Sequence, residues 1–379
     1  MKKTTSRMIT VLTALALVGL VGTPAMSKVA GRCDNCHTMH FSQGGLPWDD
    51  SGGPHKYLLD NDCVGCHSHE SAATYTIGTA PNISTVPVVF ITGSAPAEYL
   101  AGGNFYWVSL GGATNDPKGH NVLGIKGQDS NIPPAVGAPG GWITCANSCH
   151  ATLAAEQTVV PELGSGCMGC HLRPSHHAND HANGESGLVN SADQGWYRFL
   201  SGHMSGDGDG VEGFEDGMWE KGQPDLPQGQ AGNHNEYLGF VGDHVNFAGF
   251  YNLGHTTTAY CCGCHGNFHI ENPTDRFGTL RDWQRHPSDA VIPNESEYAA
   301  TGGDSNLYDP LSPVARPTVD ATPSGTVTPG ADMVMCLSCH RPHGSPYDDL
   351  LRWDYASMEA GDGSDDKGCF YCHTTKNDA

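Results

Sequence analysis

Cysteines in this sequence come in pairs, and a histidine follows the second member of every pair. Fourteen of the fifteen cysteines belong to such a pair. The seven pairs and their histidines are Cys33, Cys36 and His37; Cys63, Cys66 and His67; Cys145, Cys149 and His150; Cys167, Cys170 and His171; Cys261, Cys264 and His265; Cys336, Cys339 and His340; and Cys369, Cys372 and His373. Neither a disulfide framework nor a zinc site gives a reason for a histidine after every second cysteine.

This spacing is typical of covalent haem attachment. Two thiols separated by a short spacer can add to the two vinyl groups along one edge of a haem, and the adjacent histidine then lies below the iron as an axial ligand. One such motif is a fair indication, and seven in one chain are a strong one. The sequence therefore predicts seven haem c groups, held by the fourteen paired cysteines and the seven motif histidines.

Two motifs depart from the usual spacing. The stretch "CANSCH" has three residues between Cys145 and Cys149, so one residue must bulge outward if both sulfurs are to attach. The stretch "CCGCH" has an extra thiol, and because Cys261 and Cys264 keep the normal spacing, Cys262 is left unattached. Two interpretations of Cys262 stay open, a buried free thiol and an intermolecular disulfide.

The number of histidines predicts the second axial ligands. Of 21 histidines, seven belong to motifs, which leaves 14 for the other side of each iron. Methionine, the competing ligand, shows no regular placement. We therefore predict bis-histidine ligation, with a surface histidine as the alternative at each position. The predicted second ligands are His40, His69, His120, His177, His269, His286 and His343, with His203 in reserve and His181, His244 and His255 behind it.

Several of these histidines follow a motif closely. Examples are His40 in "CHTMH", His69 in "CHSH" and His343 in "CHRPH", and the neighbours His176 and His177 follow "CHLRP". A histidine tethered so near one side of its own haem cannot easily reach the opposite face. We expect such residues to ligate a neighbouring haem, which requires haems stacked in close pairs.

The N-terminus has the pattern of a secretory signal peptide. Lys2, Lys3 and Arg7 precede an apolar run over residues 8–22, and a small-residue cleavage site ends at Ser27. An uncleaved membrane anchor is the alternative, although the run is short for one. We expect residues 1–27 to be removed, the remainder to be exported, and no transmembrane segment to remain. The net charge of −22 disfavours nucleic acid as a partner.

Composition predicts an irregular fold. The chain has 50 glycines and 24 prolines, and apolar residues reach only 38%. We predict one seven-haem domain over residues 28–379, mostly coil with a few short helices and minor β-strands, in which the haems supply much of the core. Residues 87–93 and 104–110 are predicted strands, and residues 272–286 and 347–360 are predicted helices.

One acidic loop suggests a second metal. The stretch "SGDGDGVEGFED" places Asp207, Asp209 and Glu212 among glycines, and hard carboxylate oxygens on a flexible turn suit Ca²⁺. The spacing is only a fragment of a calcium-binding loop. The alternative is a solvated acidic turn.

Several stretches resemble one known family. "CHTMH", "GGNFYWVS", "DPKGHNVLG", "RHP" and "CLSCHRPHGSPYDDLLRWDY" are similar, in this order, to the outer-surface multihaem c-type cytochromes of metal-reducing bacteria, some of which polymerise into nanowires. A wider group of periplasmic and outer-membrane cytochromes with doubled CxxCH motifs shares many of these sequence stretches. The resemblance runs from about residue 30 to the end. It departs at the motif of Cys167 and the following "HLRPSHHANDH", which add a seventh haem to a six-haem pattern.

The resemblance implies a role for His40. In the filament-forming relatives the second histidine of "CHTMH" ligates the penultimate haem of the next subunit. Here that haem would be the one held by Cys336, Cys339 and His340. Ligation of a haem within the same chain is the alternative.

The function predicted from these features is electron transfer along stacked haems. The resemblance implies extracellular metal oxides as acceptors and other multihaem cytochromes as donors. One alternative is a periplasmic subunit of a quinol-oxidising complex. Another is a nitrite or hydroxylamine reductase, which needs one iron with an open position. The usual marker of such a reductase, lysine in place of a motif histidine, occurs in none of the seven motifs.

Overall fold

The fold consists mainly of coil and turns that carry short regular elements. The computed structural model describes residues 29–48, 54–129, 153–156, 165–172, 174–178, 187–202, 210–222, 234–240, 254–265, 286–301, 306–363 and 367–376, with the backbone alone at 262–264. These ranges contain four short α-helices and twelve short strands, so the predicted coil-rich fold is confirmed. In the described ranges no helix has the length and apolar character needed to cross a membrane.

Three of these four helices coincide with cysteine–histidine motifs. They are Cys63–His67, Thr257–His265 and Cys336–Cys339, and the fourth helix is Tyr106–Ser109. Asp62 caps the first helix, because its carboxylate accepts a hydrogen bond of 2.7 Å from the backbone N–H of Gly65. One helical turn brings residues i, i+3 and i+4 to the same face, so both thiols and the histidine of a motif face one side.

Three other motifs use the tighter 3₁₀ turn. These turns are Cys33–Asn35, Gly166–Gly169 and Gly368–Tyr371. Each motif still closes with a helical hydrogen bond in which the histidine N–H donates to the carbonyl of the first cysteine. These bonds measure 2.9 Å at His37, 2.8 Å at His171 and 3.1 Å at His373. The local geometry of a motif is therefore similar in both kinds of turn.

Three two-stranded sheets support the N-terminal motifs. Their strands are β1 (Ser42–Gln43) with β2 (Leu46–Pro47), β3 (Ser68–His69) with β6 (Phe90–Ile91), and the hairpin of β4 (Thr74–Thr79) and β5 (Asn82–Pro87). Strand β3 follows the helix Cys63–His67 without a break and pairs with β6 in parallel. The carbonyl of His67 accepts a 3.0 Å bond from the backbone N–H of Val89, which fixes the second motif against this sheet.

A six-stranded sheet forms the core of the C-terminal part. Its strands are β7 (Leu188–Val189), β8 (Gly213–Phe214), β9 (Glu236–Leu238), β10 (Ala290–Val291), β11 (Ala315–Arg316) and β12 (Met333–Val334), in the spatial order β10-β12-β11-β9-β8-β7. Only the β9–β11 pair is parallel. Tyr197, Tyr237, Met333 and Met335 pack together on this sheet. Because Met335 directly precedes Cys336, the apolar cluster anchors the helix of the sixth motif.

The predicted strand over residues 104–110 is wrong, since residues 106–109 are helical. Asn104 is fully buried, and its side-chain oxygen accepts hydrogen bonds of 3.0 Å from the backbone N–H groups of Ile91 and Tyr106. Phe105 and Val108 pack into a buried cluster. Tertiary packing thus outweighs the strand propensity of the aromatic residues. In the predicted strand over residues 87–93, only residues 87, 90 and 91 belong to strands.

The predicted helix over residues 347–360 is also wrong. The segment forms two 3₁₀ turns, Asp348–Leu350 and Tyr355–Ser357. The backbone instead pairs with the sixth motif, where the N–H of Arg352 donates to the carbonyl of Cys339 at 2.9 Å. The predicted helix over residues 272–286 lies outside the described residues, apart from His286.

Candidate haem-binding sites

Five of the seven motif histidines face a second histidine ring. The centroid separations and interplanar angles are 6.1 Å and 17° for His37 with His177, 6.1 Å and 23° for His67 with His176, 6.1 Å and 46° for His171 with His343, 6.0 Å and 56° for His265 with His120, and 6.3 Å and 78° for His373 with His286. No pair lies within one motif, so each brings together distant parts of the chain.

These separations fit a metal ion between two imidazoles. A histidine nitrogen binds a transition metal at about 2 Å, so two rings that ligate one ion from opposite sides have centres about 6 Å apart. Direct stacking would bring flat rings closer, as in His234 and Tyr308 at 3.8 Å. The histidine pairs are therefore spaced for bis-histidine ligation of a haem iron, and the motif cysteines stand beside them for covalent attachment.

Hydrogen bonds set the tautomer of several of these rings. Nδ1 lies 2.9 Å from the carbonyl of Pro87 in His67, 3.0 Å from that of Arg198 in His171, 2.7 Å from that of Pro342 in His120 and 3.0 Å from that of Pro287 in His286. A carbonyl only accepts, so Nδ1 carries the proton and Nε2 keeps its lone pair. A histidine that ligates metal through Nε2 usually donates its Nδ1–H to such a carbonyl, which fixes the orientation of the ring.

The buried rings are held neutral, as metal ligation requires. Burial lowers the pKa of His67, His120 and His171. Burial, with smaller contributions from nearby histidines, lowers the pKa of His343 to about 3. The buried Nδ1 atoms of His37 and His343 have no hydrogen-bond partner. The lowered pKa values keep His67, His120, His171 and His343 neutral and able to ligate a metal.

Described motifs that are nearest along the chain also lie next to one another in space. The Cys63 thiol of the second motif interacts with the Cys167 thiol of the fourth, and this interaction lowers the pKa of Cys63 and raises that of Cys167. The helix Thr257–His265 is tied to the fourth motif by a hydrogen bond from the Tyr260 hydroxyl to the carbonyl of Cys170.

At the C-terminal end the same order continues. The helix Thr257–His265 packs against the helix Cys336–Cys339. Burial, followed by the nearby Cys369 thiol, raises the pKa of Cys339 to about 11. Burial raises the pKa of Cys66 and the nearby Cys36 thiol raises it further, so the described motifs form a row from Cys36 at one end to Cys372 at the other.

Three of the described histidines that trail a motif face the histidine of a different motif. His176 and His177 follow the motif of His171 and face His67 and His37, whereas His343 follows the motif of His340 and faces His171. This is the placement expected for a side chain tethered on one side of its own haem. Adjacent haem sites would consequently share chain segments.

One motif histidine has no ring opposite it among the described residues. His340 is exposed, and its Nδ1 lies 2.8 Å from the carbonyl of Asp349. His40 is also exposed, and its Nδ1 lies 2.9 Å from the carbonyl of His55. Because a carbonyl only accepts, Nδ1 carries the proton in both rings and Nε2 keeps its lone pair. Among the described residues, the motif of His340 therefore has no second ligand, and the predicted ligand His40 faces no motif histidine.

The structure does not bring His69 next to a described motif histidine. Its Nδ1 accepts hydrogen bonds from the backbone N–H groups of Ser71 at 3.1 Å and Ala72 at 2.9 Å, and its ring stacks on Tyr75. Because Nδ1 is the acceptor, the proton lies on Nε2, which disfavours His69 as an Nε2 ligand in this arrangement. The turn after β3 uses the ring as a cap instead.

Other predicted site residues fall outside the described parts of the chain. They are Cys145, Cys149, His150, His203, His269, Asp207 and Asp209, together with the side chain of Cys264. Glu212, the described member of the acidic loop, has Oε1 3.7 Å from Nε2 of His255. No cluster of three or more His, Cys, Asp or Glu side chains suited to a metal ion occurs among the described residues.

Sequence reasoning chose His177 alone from the adjacent pair, although His176 is also placed opposite a motif histidine. The signal was the doubled histidine after "CHLRP", because two rings so close in sequence can serve two neighbouring haems. His255 ranked low, yet its Nδ1 lies 2.7 Å from the carbonyl of Gly210 and its ring stacks on Trp196 at 4.9 Å. His255 therefore carries its proton on Nδ1, as the carbonyl-bonded rings of the pairs do.

Comparison with known proteins shows similarity to one class. A family model described as the doubled CXXCH motif matches residues 328–378, which contain the last two motifs. This match and the repeated motifs along the chain are features of multihaem c-type cytochromes, which are electron-transport proteins with covalently bound haem c.

The chain is homologous to a particular cytochrome of this class. It is 26% identical over 385 residues to the C-type cytochrome OmcS of Geobacter sulfurreducens, which covers 86% of this chain and 79% of OmcS. The resemblance found in the sequence motifs is thereby confirmed.

Two solved structures match over most of the chain. The Outer Membrane Cytochrome S filament from Geobacter sulfurreducens has a TM-score of 0.44 at 17% identity and covers 93% of this chain and 92% of that chain. The OmcS nanowires from the same organism have a TM-score of 0.41 at 19% identity and cover 93% of each chain.

Proposed function

We propose that this chain carries electrons along a row of bis-histidine haem c groups and acts in extracellular electron transfer. The observation that carries the proposal is the set of five histidine pairs with ring centres 6.0–6.3 Å apart. When bound, haem c supplies one-electron redox chemistry at its iron. A pair of imidazoles fills both axial positions, so an electron can pass without a substrate reaching the iron.

The protein's own residues hold this row in place. The motif turns direct two thiols and a histidine to one side, and carbonyls such as those of Pro87 and Pro342 orient the rings. Shared segments such as residues 174–178 place ligands for two neighbouring motifs side by side. Seven haems are proposed, since seven motifs have the attachment residues, with the site of Cys145 and Cys149 included.

Spectroscopy of the haem-loaded protein tests this proposal. We expect seven haems per chain from mass and haem quantification, and an electron paramagnetic resonance (EPR) spectrum dominated by low-spin ferric haem. A haem count below five, or a spectrum dominated by high-spin haem, would contradict the proposal. Extracellular metal oxides are the proposed acceptors and other multihaem cytochromes the proposed donors, and reduction of ferric oxide by intact cells tests this assignment.

We also propose that the chain polymerises through His40, in keeping with its similarity to OmcS, which is described as a filament and a nanowire. His40 would ligate the iron of the His340 motif in the next subunit. Both rings are exposed, and each keeps Nε2 available. His40 has a backbone φ of 54°, an unfavourable value for a residue with a side chain, which is often retained for function.

Apolar side chains around His40 support the same docking. Met39 is 70% exposed, Leu46 69% and Tyr57 57%. Large apolar side chains that lie exposed together often mark a surface that binds another protein. A second copy seated here would remove them from water while His40 reached its partner motif.

Replacement of His40 by alanine tests the polymerisation. We expect short-lived or absent filaments by electron microscopy and one haem with altered ligation, whereas His69→Ala serves as the control and should leave filaments intact. Regular filaments from the His40→Ala protein would contradict this role of His40. Labelling of intact cells distinguishes the proposed cell-surface location from the periplasm.

A second function is favoured by the exposed His340. None of the described residues places a second ring opposite His340, so without a docked second copy an iron held there would have the open position that a nitrite or hydroxylamine reductase requires. Isolated monomers would then show a five-coordinate haem and turn over nitrite. We expect no turnover by filaments, in which His40 occupies that position.

A further inference from the structure

His373 differs from His67, His171 and His340 in the group that its Nδ1 faces. In His67, His171 and His340 the partner is a backbone carbonyl. In His373 it is a carboxylate oxygen, Oε1 of Glu297, at 3.3 Å. The carboxylate carries a full negative charge and is a stronger acceptor than an amide carbonyl. The histidine of the last motif therefore has a stronger hydrogen-bond acceptor beside Nδ1 than these three histidines have.

The carboxylate is held by contacts on several sides. Glu297 lies in the 3₁₀ turn Ser296–Tyr298, and its side chain is only 14% exposed. Its backbone carbonyl accepts a hydrogen bond from the Thr374 hydroxyl, and the Tyr298 ring lies 5.1 Å from the His373 ring. Glu297 and Tyr298 thus both contact the last motif or the residue after it, and these contacts fix the position of the Glu297 carboxylate.

A cation completes the arrangement. Nζ of Lys376 lies 3.3 Å from Oε2 of Glu297, the carboxylate oxygen that does not face His373. The three side chains form a line from the motif histidine through the carboxylate to an ammonium group that is 62% exposed. The ammonium withdraws negative charge from the carboxylate, so it should weaken the pull of Glu297 on the Nδ1 proton.

We propose that Glu297 is a positioning residue that lowers the reduction potential of the haem held by Cys369, Cys372 and His373. A carboxylate that accepts the Nδ1 proton makes the imidazole a stronger donor to iron, and its charge favours the ferric state. The inference rests on the proposed bis-histidine haem at this motif. The charge of Glu297 would make the haem at the C-terminal end of the row harder to reduce than a haem whose histidine faces a carbonyl.

Redox titration of the haem-loaded protein, followed in the visible spectrum, tests this inference with Glu297→Gln. Glutamine keeps an acceptor for Nδ1 but removes the charge, which makes the site resemble the carbonyl-partnered ones. We expect one component, equal to one haem's share of the absorbance change, to move to a more positive potential. The other components should keep their positions.

Asp349→Asn is the matched control. Asp349 contacts His340 through its backbone carbonyl, and its exposed side chain can lose its charge without a change in that bond. We expect no comparable shift in this variant. An equal shift in Asp349→Asn, or no positive shift in Glu297→Gln, would overturn the inference.

Lys376→Gln supplies a test of opposite sign. Loss of the ammonium should move the same component to a more negative potential, and the shift should shrink when Glu297→Gln is also present. Equal shifts of Lys376→Gln in both backgrounds would mean that the lysine acts without Glu297 and would contradict the inference. Haem quantification and the EPR spectrum keep the two proposals apart, since a low-spin haem that does not shift would overturn only this one.

Discussion

At the scale of single residues, the adjacent pair His176 and His177 has the most specific geometry. Two consecutive side chains face different motif histidines, His67 and His37. The two histidines are the central residues of a turn that is closed by a 2.8 Å hydrogen bond from the N–H of Ala178 to the carbonyl of Ser175, so one short segment presents rings to two sites. The ligand role of each ring can therefore be tested by a single substitution.

Replacement of either histidine by alanine should open one haem. We expect His176→Ala to convert one low-spin haem to high-spin at the motif of His67, and His177→Ala to do the same at the motif of His37. The double variant should show two high-spin haems, as measured by EPR spin quantification. His69→Ala is the control, because His69 faces no described motif histidine, and it should leave the spectrum unchanged. Identical loss of both haems from either single variant would contradict separate roles.

The motif residues could be predicted from the sequence, but the partner of each could not. The thiol and histidine pattern is local, since one helical turn brings its members to the same side. By contrast, the pairing of His120 with His265 joins residues that are 145 positions apart in the numbering. Such pairings depend on how the whole chain packs, and the histidine types alone do not encode them.

At the scale of elements, the turn over residues 100–104 positions the loop that carries His343. The carbonyl of Gly102 accepts a 2.8 Å hydrogen bond from the N–H of His343, and the N–H of Asn104 donates to the carbonyl of Gly344 at 2.9 Å. Gly103 has a φ of 89°, and a Cβ added there would lie 2.0 Å from the Gly344 carbonyl oxygen. The two loops therefore approach more closely than any side chain would permit.

Gly103→Ala should disturb the ligand loop more than Gly112→Ala. Both positions have positive φ, which disfavours alanine by about 1–2 kcal/mol. Only Gly103 adds a clash, because a Cβ at Gly112 meets nothing within 4 Å. We expect Gly103→Ala to lower the thermal midpoint and to convert the haem of the His171 motif partly to high-spin, with a much smaller effect from Gly112→Ala. Equal effects would show that backbone strain alone explains the loss.

The incorrect element predictions have a common cause. Residues 104–110 and 347–360 have side chains typical of a strand and a helix, yet each forms only short helical turns and also bonds to distant loops. Asn104, Arg341 and Arg352 are buried and make these connections. In a chain with so little regular structure, buried polar side chains replace secondary structure in fixing the path of the backbone, and local propensity is a weak guide to them.

At the scale of the whole molecule, a buried ion network holds the six-stranded sheet together. Arg316 on β11 pairs with Glu236 on β9 at 3.1 Å and with Asp332 just before β12. All three side chains are at most 6% exposed. The network links three strands next to the sixth motif.

Arg316→Met should destabilise the protein strongly. Removal of the cation would leave two buried carboxylates unpaired, and breaking such a buried pair costs about 3–5 kcal/mol of unfolding free energy. We expect this loss in denaturant unfolding followed by circular dichroism. Arg32→Met is the control, since Arg32 and Asp34 form an exposed pair that should contribute nothing measurable. A destabilisation of Arg316→Met no larger than that of the control would contradict a structural role for the network.

A cryo-electron microscopy map of the haem-loaded protein would locate each iron and its ligands. We expect an iron between the rings of each of the five histidine pairs, with the cysteines of the motif attached to the same haem. In a filament we also expect an iron between His340 and the His40 of a neighbouring subunit. Irons ligated by other residues, or histidine pairs with no haem between them, would contradict the proposed bis-histidine ligation.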